Sequence, residues 1–245
     1  MRRLLLALVA LAAPVQANEV EWRPPFITTP PEVVERMLEM AGTRPDDLVV
    51  DLGSGDGRIV IAAAQKFGAR GLGIELDAAL VAKSRENARV TKVHDRVSFV
   101  QGDVLVADIS RATVVTVYLL PALMAKLQSR FIGELAPGTR IVSHEFTMAG
   151  WLPDRSETVR LKAHHRGQGD ESRLHLWIVP ADVRGVWRGP GMTLRIEQSY
   201  QRIEVEGAGA ATLSGRDISW DGFKGRVEGN RIVGELAGRP IELRR

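Results

Sequence analysis

The chain of 245 residues contains no cysteine, so neither a disulfide framework nor a thiolate metal site can form. Histidine is scarce as well, with five in all. Two of these, His164 and His165, adjoin on a strand-like segment and so point to opposite faces, and no metal site is expected. Beyond the first residues no apolar run approaches the roughly 20 residues that span a bilayer, so no transmembrane helix is expected in the mature chain. One-sided charge is also missing. The formal net charge is only +3, and the densest basic stretch, residues 155–173, also holds Asp154, Glu157, Asp170 and Glu171. Nucleic acid, which asks for a basic face, is disfavoured as a partner. What the chain does have is 44% apolar residues, enough to bury the core of one α/β domain with a small appendage.

The N-terminus reads as an export signal. Arg2 and Arg3 supply a basic start, residues 4–13 an apolar run, and Val15-Gln16-Ala17 a small-residue cleavage pattern, with cleavage after Ala17. The apolar run is about half of what a permanent membrane helix needs. An exported protein, periplasmic or envelope-associated, is the resulting expectation; an uncleaved anchor or a cytoplasmic protein is the alternative.

Pro30 and Pro31 suit the first turn of a helix, and Val33, Val34, Met37, Leu38 and Ala41 repeat at helical spacing up to Gly42. From Leu48 short apolar runs alternate with helical segments, the pattern of a parallel sheet covered by helices. Strands are expected at residues 48–52, 71–75, 97–101, 113–118 and 140–144, and helices at 57–67, 77–91 and 121–135. Two further runs, 158–163 and 173–179, have only a turn at 166–170 between them. They close a mostly parallel, doubly wound sheet with an antiparallel pair, seven strands in all. After Pro180 the composition turns to glycine-punctuated alternation at 193–197, 201–206, 211–213, 226–228, 231–236 and 241–243. Gly229-Asn230 stands at hairpin spacing. The division expected is a signal at 1–17, an α/β domain at 18–180 and a small antiparallel β module at 183–245.

Chemistry concentrates where the strands end. Val49-Val50-Asp51-Leu52-Gly53-Ser54-Gly55-Asp56-Gly57-Arg58 is an apolar strand that ends in an acid and runs into glycines at alternate positions. Such a turn lets a ligand approach the main chain at a helix start. A dinucleotide site places its third glycine one position later, and an acid at position 51 would repel a pyrophosphate while attracting an ammonium. Spacing and charge therefore favour S-adenosyl-L-methionine over a nicotinamide cofactor. Glu75 ends the second strand and is placed to accept from ribose hydroxyls; Asp103 follows the third and could accept from an adenine amino group.

This constellation resembles the class I S-adenosylmethionine-dependent methyltransferases over residues 25–180. It is nearest to the branch of archaeal broad-specificity protein lysine methyltransferases and mitochondrial lysine methyltransferases that act on the ATP synthase c-subunit. The shared features are Pro25-Phe26-Ile27-Thr28-Thr29-Pro30, the glycine motif continued to Ile59, Ala112-Thr113-Val114-Val115-Thr116-Val117-Tyr118-Leu119-Leu120, and Pro137-Gly138-Thr139-Arg140-Ile141-Val142-Ser143-His144-Glu145-Phe146 with Trp151 following. The resemblance implies a Rossmann-like methyltransferase that N-methylates lysine side chains of proteins. It implies that Asp51, Gly53, Ser54, Gly55 and Gly57 hold the methionine part of the cofactor, that Glu75 holds its ribose and that Asp103 lies near adenine. Phe26 and Thr29 would lie over the site, Tyr118 would be the catalytic residue, and Leu119, Leu120 and Trp151 would border the acceptor channel. The branch carries proline where this chain has Thr28, and it lacks the β module.

Tyr118-Leu119-Leu120-Pro121 offers no Asn or Asp where methyltransferases for base amino groups carry one. For His144, at the end of the fifth strand, a hydrogen-bonded structural role is expected ahead of a catalytic one. Two other readings remain open: a methyltransferase for a small amine or a lipid head group, and a non-catalytic exported binding protein that keeps the fold. Oligomeric state is not legible here.

Overall fold

The computed structural model describes residues 27–161 and 169–245. The expected signal at 1–17, Phe26, His164 and His165 lie outside these. Helix α1 (Pro31–Met40) starts on Pro31, whose missing N–H costs nothing at a helix start. All five of its expected apolar positions are buried. Then follow β1 (Leu48–Leu52), α2 (Arg58–Phe67), β2 (Arg70–Glu75), α3 (Ala78–Val90), β3 (Val97–Gln101), β4 (Val114–Val117), α4 (Pro121–Glu134), β5 (Arg140–His144), β6 (Arg155–Arg160) and β7 (Glu171–Ile178). The sheet order is β3-β2-β1-β4-β5-β7-β6. Strands β1 to β5 run parallel, while β7 is antiparallel to both β5 and β6. This is the doubly wound seven-stranded sheet expected.

Alternation along the strands sorts two cores. Val49, Val97, Val114 and Val142 face α1, α2 and α3, whereas Val50, Val115, Val117 and Ile141 face α4 through Met124, Leu127 and Phe131. Among the described residues no helix follows β5, and Trp151 and Trp177 extend this second core beyond α4. Strand β6 begins three residues before the expected 158. It is an edge strand with mostly exposed, polar side chains, Arg155-Ser156-Glu157-Thr158-Val159-Arg160, so its apolar pattern gives no register and pairing with β7 sets it instead.

The C-terminal module forms a separate eight-stranded antiparallel sheet: β8 (Gly185–Gly189), β9 (Met192–Ser199), β10 (Arg202–Val205), β11 (Thr212–Ser214), β12 (Asp217–Trp220), β13 (Phe223–Glu228), β14 (Arg231–Leu236) and β15 (Arg239–Arg244). Its order is β10-β9-β8-β15-β14-β13-β12-β11, and the two end strands lie close together, so the sheet curls toward closure. Gly229-Asn230 joins β13 to β14, as its spacing predicts. Strands β8 and β12 were not legible, because Gly-Val-Trp-Arg-Gly and Asp-Ile-Ser-Trp are too short to establish a period. Trp187, Trp220 and Phe223 fill the interior with Ile196, Ile218, Ile232 and Leu243.

Candidate active site

The sheet reverses its order between β1 and β4, and the crevice beyond their carboxyl ends is where open α/β sheets bind ligands. The turn after β1 is built for close approach. Gly53, Gly55 and Gly57 all have positive φ (78°, 54° and 82°). A Cβ on Gly57 would sit 2.6 Å from the Phe99 ring and 2.8 Å from the Ser84 Cβ, so no larger residue fits. Gly53 and Ser54 both donate to the Ile74 carbonyl at the end of β2 (2.9 and 3.0 Å).

Three acids line this half. Glu75 accepts from the Gly55 N–H on one oxygen and the Asp77 N–H on the other, both at 2.9 Å. The carboxylate is thereby fixed while each oxygen keeps a lone pair for a hydroxyl. Asp51, only 2% exposed, accepts one hydrogen bond of 2.7 Å from Thr116, its neighbour in register on β4. Burial raises its pKa to about 7; the Thr116 bond opposes this, and the Glu75 and Asp56 charges add to it. A buried carboxylate held by one hydroxyl is a site that a cationic ligand group would stabilise. Asp103 is exposed after β3, with one oxygen accepting from the Leu105 N–H at 2.8 Å. Beside Glu75 the side chain of Leu76 is 52% exposed, an apolar wall that sequence reasoning missed. These residues fit the ammonium, ribose and purine of S-adenosylmethionine.

The other half is apolar and neutral. Leu119 lies across the glycine turn, its Cδ2 3.0 Å from where a Gly53 Cβ would be. Tyr118 is half-buried, with its ring centroid 4.1 Å from that of His144 and 6.2 Å from that of Phe146, the latter pair stacked. Leu120 is 38% exposed. His144 is wholly buried, and its Nδ1 is hydrogen-bonded to the Thr29 hydroxyl at 3.2 Å. Its Nε2 has no hydrogen-bond partner among the described residues, so the structural role expected of it is only half met. Burial holds its pKa down near 4 against the pull of the Glu145 carboxylate, and the ring is neutral at physiological pH. Thr29 is tied down a second time through its carbonyl, which accepts from Arg58 at 2.9 Å; Arg58 is itself paired with Asp56 at 2.6 Å.

Two expected site residues stand elsewhere. Ser54 turns its side chain under the glycine turn, with Oγ 2.6 Å from where a Gly73 Cβ would be. Its N–H is spent on Ile74 and its carbonyl accepts from Gly57, so it shapes the turn. Trp151 borders no channel. It is 0% exposed, packed against Trp177 and stacked on Tyr200 of the C-terminal module, a partner that the sequence could not announce.

Comparison with known proteins agrees with this geometry. The profile of the ANTKMT methyltransferase domain family matches residues 51–155. A protein-lysine N-methyltransferase from Saccharolobus islandicus is 45% identical over 130 residues, 53% of this chain and 81% of that one. The ATP synthase c-subunit lysine N-methyltransferase of Homo sapiens is 35% identical over 178 residues, covering 72% and 70%. The chain belongs to this family. The solved structure of an RNA methyltransferase from Salinibacter ruber, in complex with S-adenosyl-L-homocysteine, is 49% identical with a TM-score of 0.58. That match takes in 64% of this chain and 96% of the other. The protein is thus an S-adenosylmethionine-dependent methyltransferase, and the nicotinamide reading falls away.

Proposed function

We propose that this methyltransferase N-methylates lysine side chains of proteins. The observation that carries the proposal is the acceptor half of the crevice, a wall of uncharged rings from Tyr118, Phe146 and a His144 kept neutral by burial. A lysine of ordinary pKa is neutral only about once in a thousand times or less at neutral pH. A site of low dielectric beside a positive charge lowers the amine pKa without any proton-accepting side chain, and aromatic faces tolerate the cationic product. The names borne by the archaeal and mammalian relatives support the same acceptor.

When bound, S-adenosylmethionine supplies a methyl group on a positively charged sulfur. The residues then divide the remaining work. Asp51 takes the methionine ammonium over the turn of Gly53, Gly55 and Gly57; Glu75 takes the ribose hydroxyls, and Asp103 with Leu76 the purine. Arg58 and His144 hold Thr29, and with it the segment that leads into α1. Leu119 and Leu120 exclude water from the channel, and Tyr118 orients the amine. Transfer then rests on alignment rather than acid–base chemistry. Residues 18–180 form the catalytic unit in this reading and 183–245 an added module. From Arg2-Arg3, the apolar run and Val15-Gln16-Ala17 we infer an exported enzyme, whose acceptors would be envelope proteins.

A second reading, RNA as acceptor, rests on the likeness to the RNA methyltransferase of Salinibacter ruber; the missing Asn or Asp after β4 weighs against base amines. One experiment separates the two. The enzyme is incubated with labelled donor and, in separate reactions, envelope proteins and total RNA of its own cells, and the products are hydrolysed. Label in methyl-lysines is expected. Label confined to nucleosides, or absent from methyl-lysines, overturns the proposal.

A further inference from the structure

The turn between β9 and β10 grips the loop that follows β5. Its two residues, Tyr200 and Gln201, lie between the paired Ser199 and Arg202. The Tyr200 ring stacks on Trp151 at 5.3 Å between centroids and 5° between planes. Its hydroxyl accepts a 2.7 Å hydrogen bond from the Gln128 amide, which also donates to the Ala149 carbonyl at 2.9 Å. The Gln201 amide donates to the Leu152 carbonyl at 2.6 Å. The Trp151 indole N–H has no partner among the described residues, so stacking on Tyr200 and packing on Trp177 set the position of this ring. The same loop begins with Phe146, which stacks on Tyr118.

The backbone of Tyr200 argues that the side chain is there for this contact. It has φ +56°, a conformation that L side chains rarely adopt. At the matching first position of their two-residue turns, β11–β12 and β13–β14 carry Gly215 and Gly229, with φ 58° and 64°, and β14–β15 carries the small Ala237, with φ 49°. A tyrosine where the geometry favours glycine persists when its side chain is held by something else. The β11–β12 turn is fixed too: Ala181 donates to the Gly215 carbonyl at 2.7 Å, and a Cβ on Gly215 would come within 3.0 Å of Gly138. The module thus touches the domain just before β5 and just after it.

We propose that the β9–β10 turn braces the acceptor loop, with Tyr200 a positioning residue for acceptor binding that leaves the donor half untouched. That the loop borders the acceptor rests on the proposed function. The test uses the full chain and its variants Tyr200→Gly and Tyr200→Phe, with hydrogen exchange read on the S-adenosylhomocysteine complex and KM read with S-adenosylmethionine as donor. Glycine suits the backbone, so Tyr200→Gly should melt no lower than the parent, while hydrogen exchange at residues 146–152 quickens about tenfold or more. Affinity for S-adenosylhomocysteine should stay within about twofold, and KM for poly-L-lysine should rise about tenfold. Tyr200→Phe keeps the stack and should stay close to the parent. Unchanged exchange in Tyr200→Gly, exchange that quickens equally through β1 and β4, or donor affinity that falls with it would overturn the brace. So would a loosened loop with an unchanged KM. A parent enzyme that leaves poly-L-lysine unmethylated counts against lysine as acceptor, and the exchange measurement then decides the brace by itself.

Discussion

The two halves of the crevice are made in opposite ways. On the donor side the groups are charged and fixed by neighbours in sequence or register: Glu75 by the N–H groups of Gly55 and Asp77, Asp51 by Thr116. On the acceptor side the groups are neutral rings and leucines from three separate places, namely the ends of β4 and β5 and the loop after β5. Ligand groups that the transfer leaves unchanged, an ammonium, a ribose and a purine, are met by preset hydrogen bonds, which gain strength in a site of low dielectric. An amine that must shed its charge is met by surfaces that give a charge nothing to pair with. Changes on the donor side should therefore act on cofactor affinity, and changes on the acceptor side on turnover.

The largest effect is expected at Glu75. Glu75→Ala removes the proposed acceptor for two ribose hydroxyls and also frees the Gly55 and Asp77 N–H groups. Hydrogen bonds to a charged group contribute about 1.5 to 3 kcal/mol, so calorimetry should show roughly ten- to a hundredfold weaker binding of S-adenosylmethionine. Equal affinity in the variant would erase the donor half of the comparison. The counterpart across the crevice is Tyr118→Ala. It removes the ring against His144 and Phe146 and should lower kcat on the order of tenfold, with cofactor affinity within about twofold. A matching loss of donor affinity would show that the halves are not separate.

Titration sharpens the contrast. Asp51, raised to about 7 by burial, is largely protonated below that pH in the free enzyme. Only its charged form attracts an ammonium, so affinity for S-adenosylhomocysteine should fall as pH drops below 7, approaching about tenfold per unit. Asp51→Asn should bind more weakly and lose this dependence. The stability of the unliganded fold runs the opposite way. A pKa raised above the unfolded value favours the folded state at low pH, and that contribution is lost as pH rises through about 7. His144 is the reverse case. Its pKa is lowered to about 4, so its contribution is present above the unfolded value near 6.5 and is lost as pH falls through 4. Between pH 6 and 8 the acceptor side does not titrate through this ring. A cofactor affinity flat from pH 5.5 to 8 would remove Asp51 as the ammonium partner.

The donor half was legible because each of its acids follows an apolar strand directly, so a local pattern carries both the element and the chemistry. Thr116 and Leu76 carry weaker marks, a hydroxyl in an otherwise apolar strand and a leucine just past an acid. The acceptor half was legible only in part. Tyr118 and Leu119 follow β4 and could be placed, but the His144 ring that meets Tyr118 is held by Thr29, 115 residues away in sequence. Trp151 was misplaced because its cover comes from Tyr200, and a tyrosine in a two-residue turn gives no sign of left-handed backbone, as glycine or asparagine would. Ser54 was misread for a simpler reason: spacing places the glycine turn but does not tell which way a small side chain inside it points.

The smallest expected effect tests the central claim about the acceptor half. If Tyr118 were a general base or an obligatory hydrogen-bond acceptor for the amine, removing its hydroxyl would cost about a hundredfold or more, the usual scale of acid–base catalysis. If the ring acts by bulk, by its face and by excluding water, Tyr118→Phe keeps all three, including the contacts with His144 at 4.1 Å and Phe146 at 6.2 Å. Its kcat should then stay within about threefold of the parent, with a pH profile between 6 and 8 that follows the parent's. The measurement is single-turnover methyl transfer to a saturating lysine peptide, which keeps product release out of the rate. A hundredfold loss in Tyr118→Phe with an unaltered pH profile would mean that the hydroxyl itself holds the amine, and the contrast between a donor half of acids and an acceptor half of rings would fail at its central residue.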